Sequence, residues 1–290
     1  MIAEIPELDK IIFDNLIKDY RLKYIRSSKT IVDLIYANQN YNEQILRSKD
    51  ISKLIFELRQ LVWQEFLTDE VKFNIVFMQD LPNFLNVPNK ILTNLITEDV
   101  IRQNNKQQLI QNIKHICGEY AGRVFPYIYR LALSNTQSRR SRAGKSFENI
   151  IYKLYEIFNY PYSSQAKVGR KIFADCGLGK KVDSILPNIE AFKQRRSKTI
   201  IGTMKTSLRE RWQEVAEEIE RTKIPVIFLL TADEDISLNK IKEMAQHNII
   251  VVAYDFVIKS NKANNMKNII SFEDYFYSEI PNVLHFWATQ

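Results

Sequence analysis

The feature that most constrains this chain is an alternation of apolar and charged stretches between residues 198 and 254. KTIIGTMKT (198–206) is followed by a charged segment, Ser207 to about Thr222, in which Trp212, Val215, Ala216 and Ile219 share one helical face. Then come PVIFLLT (225–231), the helical pattern LNKIKEMAQ, and NIIVVAY (248–254). Short apolar runs rich in β-branched residues suit strands, and apolar spacings of three and four suit helices. Strand, helix, strand, helix, strand predicts an α/β sheet packed by helices. Upstream, KIFADC (171–176) and KVDSILP (181–187) also read as strands. FENIIYKLYEIF reads as a helix with Phe147, Ile150, Ile151, Leu154 and Ile157 on one face, ending before Tyr160-Pro161, and a short tail helix closes the chain.

The first part has a different character. From Ile11 to about Lys114 the spacing is helical, as in Ile51, Leu54, Ile55, Leu58, Leu61 and Val62. Pro82 and Pro88 are predicted to break it, NQNYN and RQNNKQQ to form exposed turns, and a further helix to cover Lys114 to Leu133. The expected organisation is a helical region, 1–115, and an α/β region, 116–290.

Composition excludes several classes. With 290 residues, 45% of them hydrophobic and only 7 Gly and 8 Pro, the chain can bury a core and is neither disordered nor linker-dominated. Two cysteines, Cys117 and Cys176, give neither a disulfide scaffold nor a zinc motif. No apolar stretch is long enough to span a bilayer, and MIAEIPELDK places acids where a signal peptide has a basic region. A cytoplasmic protein is expected. The excess of 41 Lys plus Arg over 34 Asp plus Glu favours a polyanionic partner without requiring one. Phosphate-loop, dinucleotide, nucleophile-elbow and HExxH motifs are missing, and His115, His247 and His285 share no ligand spacing.

What remains is a carboxylate and lysine pattern on the predicted strands. Asp183 lies in KVDSILP, Lys205 ends KTIIGTMK, and Glu218 follows thirteen residues later on the charged helix. Carboxylates that hold Mg²⁺ beside a lysine suit phosphodiester hydrolysis, because the metal polarises the phosphate and lowers the pKa of a water while the lysine stabilises charge. Taken singly, these are a strand-end acid, a surface lysine and one acid of a charged helix face. Between them lies Arg209-Glu210-Arg211. Arginine donates bidentately to guanine and glutamate accepts from cytosine, so the triplet is chemically complete for reading G·C pairs, although it also fits an ordinary solvated helix start.

SRRSRAGKSFE (138–148), VDSILP (182–187) and KTSLRERWQEV (205–215) continuing to Glu218 together resemble the EcoRII, SsoII and PspGI group of type II restriction endonucleases, within the PD-(D/E)xK nuclease fold. The resemblance covers about the last 150 residues. It implies a mixed central sheet flanked by helices, with a helical N-terminal part. It also implies Asp183 and Glu218 as Mg²⁺ ligands, Lys205 positioning or activating the attacking water, and Glu148 as an additional acid supporting a second metal or orienting water. Arg209, Glu210 and Arg211 would read the CC/GG half-site and Gln137 would approach base edges from the other side. Arg139, Arg140, Arg142 and Lys145 would contact phosphates.

Arg59 and Trp63, one helical turn apart, are similar to residues that sandwich a flipped central nucleotide in the SsoII-like subgroup; the alternative is that Trp63 is a core aromatic. Asp175 is a second acid on a predicted apolar strand, and only the family spacing selects Asp183 over it. The implied activity is Mg²⁺-dependent cleavage of double-stranded DNA at a CCNGG-type site by a homodimer, before the first cytosine, leaving five-nucleotide 5′ overhangs. CCWGG and contiguous CCGG are alternative sites. A cognate methyltransferase is expected in the host. From other classes, a repair or structure-specific nuclease of the same fold would need the carboxylates and Lys205 but no base-reading triplet, and a non-catalytic DNA-binding protein would need only the basic surface.

Overall fold

The computed structural model describes residues 4–38, 48–178, 181–209, 211–261, 263 and 265–289, with Arg211 described by its backbone alone. Glu210 and most of NQNYN therefore lie outside the described residues. Two compact units form, one from residues 1–27 and 64–142, the other from 28–63 and 143–290. Each unit draws on two chain segments because two long helices, α3 (Ile51–Phe84) and α7 (Phe125–Ile157), each contribute residues to both. The change of sequence character near residue 115 thus falls inside a unit.

The first unit is helical: α1 (Glu7–Tyr24), the later part of α3, α4 (Asn86–Leu95), α5 (Glu98–Ile101), α6 (Lys106–Arg123) and the start of α7. Its core is aromatic, with Phe13 edge-on to Phe77 at 5.3 Å and to Tyr127 at 5.5 Å. Asn105 caps α6 by accepting from the Gln107 and Gln108 N–H groups, in agreement with the predicted RQNNKQQ turn. Pro82 does not end α3, which runs on to Phe84, and Pro88 sits in the first turn of α4, where its missing N–H is tolerated. The two prolines bracket a break at Leu85. The helix predicted over Lys114 to Leu133 is divided at Val124, and the basic run 138–146 continues α7.

The second unit contains α2 (Ser28–Asn38) and, among the described residues, a six-stranded sheet. The strands β1 (Ser163–Ser164), β2 (Ser184–Leu186), β3 (Ile200–Lys205), β4 (Ile227–Thr231), β5 (Ile249–Ala253) and β6 (Ile269–Ser271) pair in sequence order. β1, β2 and β3 are antiparallel neighbours, and β3 to β6 run parallel, so the sheet is mixed. Its parallel part carries near-continuous apolar runs, as burial on both faces requires, with α11 (Arg211–Thr222) and α12 (Leu238–Gln246) as crossovers.

Between β1 and β2 lie α8 (Gln165–Val168) and α9 (Arg170–Asp175), and α10 (Ile189–Gln194) follows β2. KIFADC is therefore a helical turn, where a strand was expected: only Phe173 and Cys176 are buried, three residues apart, and Gly169 at φ +88° redirects the chain into it. The predicted tail helix is longer than expected, running through Phe272–Asp274, a π-helical turn and Ile280–Ala288.

Candidate active site

Asp183 precedes β2 and is fixed from several directions. Its N–H donates to the Gly202 carbonyl at 2.9 Å and its carbonyl accepts from the Tyr152 hydroxyl at 2.9 Å, while the neighbouring Val182 carbonyl accepts from Gln165 Nε2 at 2.8 Å. The carboxylate accepts from the Met204 N–H at 2.7 Å. Gly202 pairs with Ser184, and a Cβ there would lie 2.5 Å from the serine Oγ, which would have to rotate away.

Lys205 ends β3 with its Nζ 4.0 Å from Asp183 Oδ2 and 3.2 Å from Thr203 Oγ1, and its side chain is only 14% exposed. Glu148 projects from α7, with its carboxylate 2.7 Å from Lys145 Nζ one turn earlier. Glu148, Asp183 and Lys205 line one open cleft together with Lys145, Arg170, Lys181 and Glu214. Burial pushes the Asp183 carboxyl up to about 6, and the nearby Glu148 adds to the rise; Lys205, the Met204 N–H and Lys145 pull the other way.

One expected residue, Glu218, and the alternative acid, Asp175, lie outside this lining. Glu218 is buried on α11 and accepts from Arg221 at 2.7 Å; the glutamate of that helix lining the cleft is Glu214, one turn earlier and paired with Lys181. Asp175 ends α9, exposed and outside the cleft lining. Lys181, Glu214, Tyr152 and Gln165 were not singled out from the sequence. Glu214 lies within KTSLRERWQEV and Lys181 stands two residues before Asp183, whereas nothing in the sequence marks Gln165.

The basic residues divide. Arg139 forks onto buried Glu70, with Nε at 2.9 Å, and Arg142 lies over the Phe66 ring at 5.4 Å while donating to the Arg26 carbonyl. Both guanidinium groups, expected on phosphates, are thus held by intramolecular partners. Gln137 and Arg140 are exposed on α7. Arg209 is exposed with φ at +31°, an uncommon conformation for a non-glycine residue and one that clusters at functional sites. Leu208 beside it is pinned, its N–H donating to Asp233 at 2.7 Å.

Arg59 and Trp63 line a separate cavity of about 380 Å³ with Gln60, Ala143 and Ser146. Arg59 donates to the Tyr254 hydroxyl at 2.9 Å, which fixes its guanidinium at one wall, and Trp63 is half-buried where a core aromatic would be closed off.

Among the described residues no three His, Cys, Asp or Glu side chains gather closely enough to cage a metal ion. Mg²⁺ does not need a cage, since one or two carboxylates plus water and phosphate oxygens complete its shell. The hard oxygen donors of Asp183 and Glu148 fit that requirement. No described helix is long and apolar enough to cross a membrane.

This geometry has known counterparts. The family model described as EcoRII C terminal matches residues 105–276. SsoII of Shigella sonnei, a type II restriction enzyme, is 34% identical over 250 residues, covering 86% of this chain and 74% of its own length. Metal-depleted Ecl18kI in complex with uncleaved DNA superposes with a TM-score of 0.71 at 28% identity, over 95% of this chain and 84% of that one. The restriction endonuclease PspGI, in a substrate DNA complex, shares the fold with a TM-score of 0.62 at 19% identity, over 90% of this chain and 94% of that one. The chain belongs to the EcoRII C-terminal family and, with SsoII, to the type II restriction endonucleases.

Proposed function

We propose that this enzyme hydrolyses both strands of double-stranded DNA at a palindromic CCNGG-type site, as a homodimer with Mg²⁺, cutting before the first cytosine to leave five-nucleotide 5′ overhangs. The observation that carries the reading is the meeting of Asp183, Glu148 and Lys205 in one cleft, on the strand end from which Arg209 follows. The DNA held by the Ecl18kI relative supports duplex DNA as the substrate.

Asp183 and Glu148 would supply carboxylate oxygens for Mg²⁺, which when bound would polarise the scissile phosphate; Glu218, the family's further acid, would have to leave Arg221 and reach the cleft to join them. Lys205, held between Thr203 and Asp183, orients the attacking water and stabilises the charge that develops on the phosphate. Arg209, Glu210 and Arg211 read the G·C pairs, and Gln137 approaches the same bases. Arg140 and Lys145, exposed and not forked onto a buried acid, contact phosphates; Arg139 and Arg142 would have to leave their partners to do so. The Arg59 and Trp63 cavity falls within the ~300–1,000 Å³ range of small-ligand pockets and takes a flipped central nucleotide. A two-fold site calls for a two-fold protein, one subunit per half-site.

Digestion of a sequenced plasmid in Mg²⁺ with mapping of the ends tests this reading. Discrete fragments sharing CCNGG ends are expected. Cutting restricted to A or T at the centre would shift the site to CCWGG. Random nicks or cutting at junctions would make the chain a nuclease of another kind.

A further inference from the structure

We propose that Lys181 is a phosphate-binding residue of the cleavage cleft, and that Glu214 positions it. This rests on the reading of the cleft as the DNA-cutting site. Each of the three acids lining the cleft has a lysine partner, but the three pairs differ in kind. Lys205 is enclosed by Asp183 and Thr203, and Lys145 pairs with Glu148 within one helix. Lys181 and Glu214 come from separate elements, the turn before Asp183 and helix α11, and meet at the cleft wall.

Their side chains are 40% and 45% exposed, so the pair is solvated and contributes little to stability. What it does is hold one ammonium group at a fixed place two residues from Asp183, where a long lysine chain would otherwise sweep solvent. A phosphodiester oxygen entering the cleft can share that ammonium with Glu214 or take it over, because a solvated ion pair exchanges partners at small cost. Glu214 is then a positioning residue, distinct from the carboxylates assigned to the metal.

The test measures binding of a CCNGG duplex to the full-length protein by fluorescence anisotropy, in Ca²⁺ and across a salt series. Lys181→Gln is expected to weaken binding about tenfold at low salt and to lower the slope of log K against log salt by about 0.9, the loss of one phosphate contact. Glu214→Gln is expected to weaken low-salt binding about threefold while keeping the wild-type slope, because the Lys181 ammonium is still present but no longer held in place, and to leave the Mg²⁺ requirement for cleavage as in wild type. Low-salt affinity equal to wild type would remove the positioning role. A Lys181→Gln slope equal to wild type overturns the proposal. So does loss of cleavage in Glu214→Gln with a raised Mg²⁺ requirement, which would make Glu214 a metal ligand. Circular dichroism of both variants separates these results from misfolding. If the wild-type protein binds another duplex in preference to CCNGG, the site assignment fails while the slope comparison is made on the preferred duplex.

Discussion

Buried carboxylates are treated in opposite ways in the two units. In the helical unit Asp69 and Glu70 are enclosed by arginine: Arg26 donates to Asp69 from Nε at 2.9 Å and from its backbone N–H at 3.0 Å, and Arg139 forks onto Glu70. The guanidinium groups of Arg26 and Arg139 are held above their ordinary pKa mainly by these hydrogen bonds. In the sheet unit Asp183 accepts from the Met204 N–H and, at 3.4 Å, from the Thr203 hydroxyl, with its lysine only at 4.0 Å, and burial raises its pKa to about 6. One arrangement completes the pairing of charge and the other leaves it incomplete.

Substitution of Asp183 or Lys205, the residues proposed to act in cleavage, gives the largest expected contrast. Lys205→Ala and Asp183→Asn should each lower plasmid cleavage by roughly 10³-fold or more, the scale on which positioned charge acts in a transition state. Gel assays at saturating Mg²⁺ measure this, and near-normal cleavage by either variant would remove that residue from the site. The same rate assay on Arg139→Ala should change far less. That variant should instead lose on the order of 2 kcal/mol of stability, because Glu70 is left buried without its partner; the figure sits below that for a fully buried pair since Arg139 is half exposed. Urea unfolding is the appropriate measurement, and an unchanged midpoint would mean the fork contributes nothing.

Asp183→Asn should move stability in the other direction. The folded-state pKa of Asp183, about 6, lies above its ordinary 3.8, so its contribution is fully present below pH 3.8 and is lost as pH rises through 6. In EDTA at pH 8 the asparagine variant should therefore be more stable than wild type by on the order of 3 kcal/mol, with the difference vanishing below the ordinary value of 3.8. Added Mg²⁺ should narrow the gap by stabilising wild type alone. Thermal unfolding at the two pH values decides it; a wild type more stable at pH 8 in EDTA would mean that Asp183 is fully paired without metal.

The smallest effect concerns the second cavity. Trp63→Ala should reduce cleavage of CCNGG duplexes about tenfold, since base stacking on an aromatic is worth ~1–3 kcal/mol. The rise in 2-aminopurine fluorescence at the central position on binding should change with it. An unaltered signal would separate Trp63 from the flipped base.

Much of this was legible in the sequence. The parallel strands β3, β4 and β5 and their crossover helices follow from apolar runs and helical spacing, while the pairing of Asp183 with Lys205, rather than of Asp175 with it, came from the family spacing. KIFADC forms a helical turn where a strand is expected because its four apolar residues among two charged ones satisfy either period, and only the turn at Gly169 and the burial of Phe173 and Cys176, three apart, resolve it. Pro82 and Pro88 marked a break, but proline is tolerated in the first turn of a helix, so the break lies between them at Leu85.

The sequence by itself determined the strands β3 to β5, their crossover helices and the helical character of the first part, because periodicity and turn chemistry act over a few residues. Tertiary structure decided which charged groups are spent on the fold and which face the cleft. Glu214 and Glu218 share a helix face one turn apart, and no local pattern distinguishes the one beside Lys181 from the one buried with Arg221. Arg139 and Arg142 read as free cations until partners 69 and 116 residues away claim them. Charge acts through space at a few ångströms, and only folding brings residues so distant in the chain within that range.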